Sequence, residues 1–190
     1  YEAHAQFMHE AGRSEIAHAP EDMVIFTKPS TSVIGPDDPI VYPVCSKDMN
    51  FEPEVAVVMG RIAKNVTVEN AMDYVLGFTC VNDVTLRDLQ GIDPTWTRAK
   101  GFDTSCPLGP WIVMRDDLDW KDAKISFTLN GEDVPMASGT TANLIHGIPE
   151  QIAAISSFST LLPGDVIMTG TPNASGHLDP GDETIVHVEG

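Results

Sequence analysis

The chain reads as a strand-rich α+β protein, and three observations carry that reading. Short apolar runs such as Val55-Ala56-Val57-Val58-Met59 and Phe78 to Val84 recur between clusters of Gly, Pro, Asn and Asp, the pattern of strands. Only two stretches, Thr67 to Leu76 and Ile148 to Phe158, place apolar residues at helical spacing. The two kinds of segment do not alternate, which argues against a doubly wound parallel sheet. With 190 residues, 42% of them hydrophobic and 21% charged, a single catalytic domain over residues 1–190 is expected, since no repeat or low-complexity segment divides it.

Each element follows from local chemistry. Residues 1–22 are polar, punctuated only by Gly12 and Pro20, and read as a short helix or a mobile flap. Val24 to Phe26 reads as a brief strand, followed by the turn-rich Gly35-Pro36-Asp37-Asp38-Pro39. Thr67 caps a helix through Leu76, with Asn70 in its first turn. The strand from Phe78 runs into the polar segment Thr85 to Gln90. A long connection, Gly91 to Pro110, comes next, and a loop of that length in a compact chain is usually functional. Trp111 to Met114 and Lys124 to Leu129 are strands, and Asn130-Gly131 marks a hairpin. Pro149 and Glu150 open the second helix. Leu162-Pro163-Gly164-Asp165 turns into the strand Val166 to Thr169, which Gly170-Thr171-Pro172 breaks. Val186 to Gly190 reads as a strand cut short. Tyr1, with no signal-peptide pattern after it, reads as a start inside a longer chain.

Charge and composition exclude several functions. The 11 basic and 28 acidic residues give a net charge of −17, and the acids are scattered, so no basic footprint exists for nucleic acid or an anionic membrane surface. The longest apolar run, Val55 to Met59, is far shorter than the ~20 residues of a membrane-spanning helix. Cys45, Cys80 and Cys106 are odd in number and widely spaced, which points to a reducing, cytoplasmic setting rather than a disulfide or thiolate-zinc framework.

The residues that can do chemistry are acidic. Glu52 and Glu54 stand two apart at the entrance to an apolar strand, so strand alternation aims both carboxylates to one side. Like charges that close repel unless a cation lies between them, and Mg²⁺ or Mn²⁺ suits such oxygen donors. A pair of solvated glutamates is the plainer reading. Asp83, where a strand turns polar, offers a third ligand or simply a turn aspartate. A helical turn from Asp83 would stack Arg87 and Gln90 on its face, either as a substrate-binding set or as a surface Asp–Arg pair. Lys100 lies in the long loop, where a lysine is commonly just solvated. His4 and His9, with Glu10 beside them, offer a base oriented by a carboxylate. The metal reading requires the three acidic groups to share one coordination sphere without each being neutralised by its own Lys or Arg. There is no G-x-S-x-G, no Walker loop and no G-x-G-x-x-G.

Taken together, Ile25 to Pro29, Glu52 to Gly60, Asn82-Asp83-Val84-Thr85-Leu86-Arg87-Asp88-Leu89-Gln90, Ala99 to Thr104, Asn130-Gly131-Glu132 and Leu162 to Pro172 resemble the fumarylacetoacetate hydrolase family over nearly the whole chain. The resemblance implies a mixed β-roll or β-sandwich of that family's C-terminal-domain type, in a homodimer. It implies a Mg²⁺ or Mn²⁺ enzyme acting on 2-oxo or 1,3-diketo acids. Glu52, Glu54 and Asp83 match the metal ligands; Arg87, Gln90 and Thr171 match substrate-binding residues. Lys100 matches a lysine at the substrate, and His4 a water-activating histidine. The acidic partner of that histidine is often three residues later, where Phe7 stands here, leaving Glu10 as its substitute; Pro135 stands where a glutamine is often found. The implied reaction is hydrolysis of a carbon–carbon bond in an acylpyruvate or fumarylpyruvate-like substrate. The alternatives are oxaloacetate decarboxylation, isomerisation of a hydroxydienedioate, or a metal-free binding domain that has lost activity.

Overall fold

The structure, a computed structural model, describes residues 1–10 and 23–189. In chain order it contains α1 (Glu2–Glu10), β1 (Val33–Ile34), β2 (Met49–Phe51), β3 (Pro53–Met59), β4 (Val75–Asn82), β5 (Thr85–Leu86), α2 (Arg87–Gln90) and α3 (Thr97–Lys100). There follow β6 (Cys106–Met114), β7 (Lys124–Leu129), β8 (Glu132–Asp133), β9 (Gly139–Thr140), α4 (Ile148–Phe158), β10 (Val166–Met168), β11 (Gly176–His177) and β12 (Thr184–Val188). The strand-rich α+β expectation holds.

A mixed sheet ordered β1-β6-β4-β3-β10 forms the centre, flanked by the small sheet β11-β2-β5 and by β12-β7-β8, with β9 also on β7. All seven residues of β3 are buried, which explains its unbroken apolar sequence: alternate side chains enter cores on opposite faces. Val55, Val57 and Met59 join Phe78, Ile125 and the α4 residues Ile148 and Ile152, while Ala56 packs with Val81 and Cys106. A further core gathers Met49, Phe51, Leu86 and Phe127, the two phenyl rings stacked 4.1 Å apart. The Asn130-Gly131 hairpin forms as expected, both residues having positive φ (54° and 79°) between β7 and β8.

Four local expectations change. Val24 to Phe26 forms no strand, because the extended segment finds no ladder partner and leaves Val24 and Ile25 exposed. The helix after Thr67 is a 3₁₀ helix over Val68–Tyr74; Val75 and Leu76 instead open β4, where Met59↔Val75 closes the β3–β4 ladder across a register shift that skips Leu76. Even so, the Asn70 side chain accepts the Thr67 N–H at 3.0 Å, as a cap should. The Gly91–Pro110 connection contains α3 and the start of β6. Asp83 precedes α2 and is not on its face, since the helix begins only at Arg87. Of the flap expected over 1–22, residues 2–10 form α1, and the remainder lies outside the described residues.

Candidate metal centre

The sheet register builds the site. In the antiparallel β3–β4 pair, Pro53 faces Asn82 and Glu54 faces Val81, so the entrance of β3 lies beside the exit of β4. The Asp83 N–H donates to the Glu52 carbonyl at 2.8 Å, and the Glu52 N–H donates to the Asn82 side-chain oxygen at 2.9 Å. Carboxylate oxygens of Glu52, Glu54 and Asp83 consequently lie within 4.8 Å of one another, all three residues buried. This brings together the three acids that the sequence singled out.

Three buried cations crowd two of these carboxylates. Lys100, the last residue of α3, donates to Glu52 Oε2 at 2.6 Å and to Asp83 Oδ2 at 2.7 Å. Lys28 donates to the other Asp83 oxygen at 2.6 Å. Arg87 Nη2 pairs with Glu52 Oε1 and with Ser175 Oγ, while Nη1 donates to Gln90 Oε1 at 2.6 Å. Burial would raise the Glu52 pKa, but Lys100 and Arg87 hold it below the usual carboxylate range. Burial likewise works against the Lys100 charge, and Asp83 and Glu52 outweigh it, so the ammonium persists.

Glu54 differs. Among the described residues its hydrogen bonds come from neutral donors, Gly170 N–H at 2.8 Å and Thr171 Oγ1 at 3.2 Å. Gly170 turns that N–H inward from φ +99°, a conformation that suits glycine. Burial, with the Asp83 charge next, pushes Glu54 up to about 8. The criterion of a shared sphere without individual neutralisation is therefore met at Glu54 and not at Glu52 or Asp83. An all-oxygen donor set with one buried carboxylate lacking a cation of its own fits a hard divalent ion.

The other candidates fall around this centre. Thr171 reaches it through Glu54. Arg87 and Gln90 form a bonded pair behind Glu52, with Arg87 Nε buried and unpartnered. His4 Nδ1 donates to the Asn173 carbonyl at 2.5 Å, which leaves the lone pair on Nε2. Burial lowers its pKa, partly opposed by Glu52, so the ring is neutral at neutral pH. Glu10 is exposed and accepts from Gln6 at 2.8 Å; six residues along a helix it points roughly 120° around the axis from His4. Phe7, at the position where an acid was sought, has its ring 6.2 Å from that of His4. The sequence reading did not single out Lys28, Asn82 or Ser175. Lys28 stands 55 residues before its partner Asp83, and only its place in the Ile25 to Pro29 stretch of the family resemblance pointed to it.

Fold and site together define a strand-rich α+β protein whose sheet ends converge on a buried acidic triad able to hold a divalent cation. The chain matches the Fumarylacetoacetate (FAA) hydrolase C-terminal family over residues 1–190, and it belongs to that family. An uncharacterised protein of Archaeoglobus fulgidus is 47% identical over 170 residues, which cover 90% of this chain and 66% of that protein. The mitochondrial oxaloacetate tautomerase Fahd2a of Rattus norvegicus is 40% identical over 179 residues, 90% of this chain and 56% of that protein. Among solved structures, a 5-carboxymethyl-2-hydroxymuconate delta-isomerase from Mycobacterium smegmatis superimposes with a TM-score of 0.86 at 46% identity, covering 91% of this chain and 67% of that one. The chain thus spans less than two thirds of the length of both sequence relatives. Among the described residues no helix is long and apolar enough to cross a membrane.

Proposed function

We propose that this chain is a divalent-metal-dependent enzyme that enolises a 2-oxo acid, with keto–enol isomerisation as its net reaction. The observation that carries this reading is Glu54, a buried carboxylate that no cation among the described residues hydrogen-bonds, within 4.8 Å of two further carboxylates. Glu52, Glu54 and Asp83 would hold Mg²⁺ or Mn²⁺, which when bound would supply Lewis acidity toward the carboxylate and keto oxygens of the substrate.

The remaining steps belong to the protein. Neutral His4, held through Nδ1 by the Asn173 carbonyl, takes a proton on Nε2 from the carbon beside the keto group and returns it to the keto oxygen. The Lys100 ammonium faces the negative charge that develops meanwhile, without reorganisation, because Glu52 and Asp83 already fix it. The relatives named as a tautomerase and a delta-isomerase support this outcome.

Hydrolysis of an acylpyruvate-like substrate is the second reading, favoured by the same free Nε2, which could deprotonate water. It asks His4 to keep that proton until the departing carbon accepts it, a task a carboxylate partner would ease, and Glu10 is bonded to Gln6 instead. Decarboxylation of oxaloacetate would need no water at all. The homodimer implied by the family resemblance belongs to the same proposal, and sedimentation equilibrium would then give about twice the chain mass.

The test is a panel of oxaloacetate, an acylpyruvate and a hydroxydienedioate, each with and without millimolar Mg²⁺ or Mn²⁺. Metal-dependent keto–enol exchange is expected to exceed acylpyruvate hydrolysis. His4→Ala should lose roughly 10²–10⁴-fold in exchange rate while keeping the metal-induced rise in melting temperature. No turnover of any substrate together with an unshifted melt would leave the inactive binding domain as the correct reading.

A further inference from the structure

Beside the metal centre lies a cavity of about 340 Å³ to which, of the site residues described above, only Gln90 contributes. Its walls are Ile25 and Phe26 on one side and Gln90, Ile92, Asp93 and Trp96 on the other. Ile25 and Ile92 are 40% and 68% exposed, apolar side chains left facing open space rather than a core.

Two of its walls also belong to the site. Phe26 lies between the cavity and Lys100, whose ammonium sits 5.1 Å from the ring centroid. Gln90 holds Arg87, and Arg87 holds Glu52. Trp96 packs against the edge of Phe26 at 5.7 Å, and its carbonyl accepts the Lys100 N–H at 2.9 Å, so one helical turn carries both the cavity wall and the catalytic lysine. Trp96 adopts φ 55°, ψ 12°, a left-handed conformation unfavourable for a bulky residue. Strain of that kind persists where the surroundings demand a particular side-chain placement.

We propose that this cavity receives the part of the substrate beyond its 2-oxo acid head, and that it selects an uncharged, apolar or aromatic tail over a second carboxylate. This rests on the 2-oxo acid reading above. Among the described residues Asp93 is the charged residue lining the cavity, and no lysine, arginine or histidine lines it to receive an acid tail. The nearby cation Arg98 is already committed, its Nε and Nη2 both donating to the Asp93 carboxylate. Phe26, Ile92 and Trp96 reward apolar area instead.

Calorimetry on the metal-loaded protein with benzoylpyruvate and with its para-carboxy derivative measures the tail preference, while acetylpyruvate and oxaloacetate turnover, run alongside, report the reaction. Benzoylpyruvate should bind at least about tenfold more tightly, the usual scale of discrimination in a small apolar pocket. Ile92→Lys, at an exposed rim position, should shift the ratio roughly tenfold toward the para-carboxy compound. Trp96→Ala should weaken benzoylpyruvate by a similar factor. Equal affinities, an unchanged ratio in Ile92→Lys, or a preference for the para-carboxy compound that Arg98→Gln removes would each overturn the proposal. Turnover without the preference sinks the pocket alone, whereas the preference without any turnover sinks the reaction and sustains the pocket.

Discussion

Glu52 and Glu54 are 4% and 3% exposed, yet their protons behave oppositely because of what each one touches. Glu52 meets Arg87 and Lys100; Glu54 meets a main-chain N–H and a hydroxyl. Glu54 moves from 4.5 to about 8, so the metal-free folded protein keeps a proton that the unfolded chain has released. Its contribution to stability is therefore present below the unfolded value and is lost as pH rises toward 8. The lowered pKa of Glu52 has the reverse effect, confined to acidification below its usual 4.5. Melting of the metal-free protein relative to Glu54→Gln should consequently fall between about pH 5 and 8. Saturating Mg²⁺ or Mn²⁺ should remove the fall, because the ion replaces the proton. A flat difference across that range would contradict the assignment. Removing Glu52 has another consequence. Glu52→Gln leaves the buried Arg87 without a carboxylate and Lys100 with Asp83 alone, and should cost about 3–5 kcal/mol in urea unfolding, whereas Glu54→Gln should cost far less. Both variants should lose the metal-induced melting shift. The acids were legible in the sequence as a close pair with strand periodicity; Lys28 was not, because nothing local ties it to Asp83.

Among the elements, the β3–β4–β6 ladder aims the triad, and its tolerance for change is small. At Gly77, in β4, a Cβ would lie 2.1 Å from the Val113 carbonyl oxygen of β6, a main-chain atom that cannot step aside without moving the strand. Gly77→Ala should therefore destabilise by about 1–3 kcal/mol, read as a lower denaturation midpoint. An unchanged midpoint would mean that the two strands can separate locally. Helix α4 was visible to the residue, Ile148–Phe158, since a proline in its first turn and an apolar face mark it without outside help. The segments read incorrectly were those whose partners are distant. Val24 to Phe26 has strand-like residues and no strand to join, and Val75 has helical spacing but pairs with Met59 in the central sheet. Local pattern sets propensity, and ladder pairing across the chain overrides it.

For the whole molecule, a net charge of −17 on 190 residues implies self-repulsion that salt should relieve. The melting temperature is expected to rise as sodium chloride increases from about 10 mM to 1 M, over which the screening length falls from ~30 to ~3 Å. A falling melting temperature would show that attractive ion pairs dominate instead. The sequence by itself determined the strand-rich class, the family resemblance and the identity of the three acids, because these rest on residue type, periodicity and spacing along the chain. Only the tertiary structure decided which carboxylate goes without a cation, where Lys28, Arg87 and Lys100 spend their charge, and that His4 leans on a carbonyl rather than on Glu10. Those are matters of distance between groups far apart in the chain, and electrostatic energy depends on that distance and on burial, neither of which a linear sequence states.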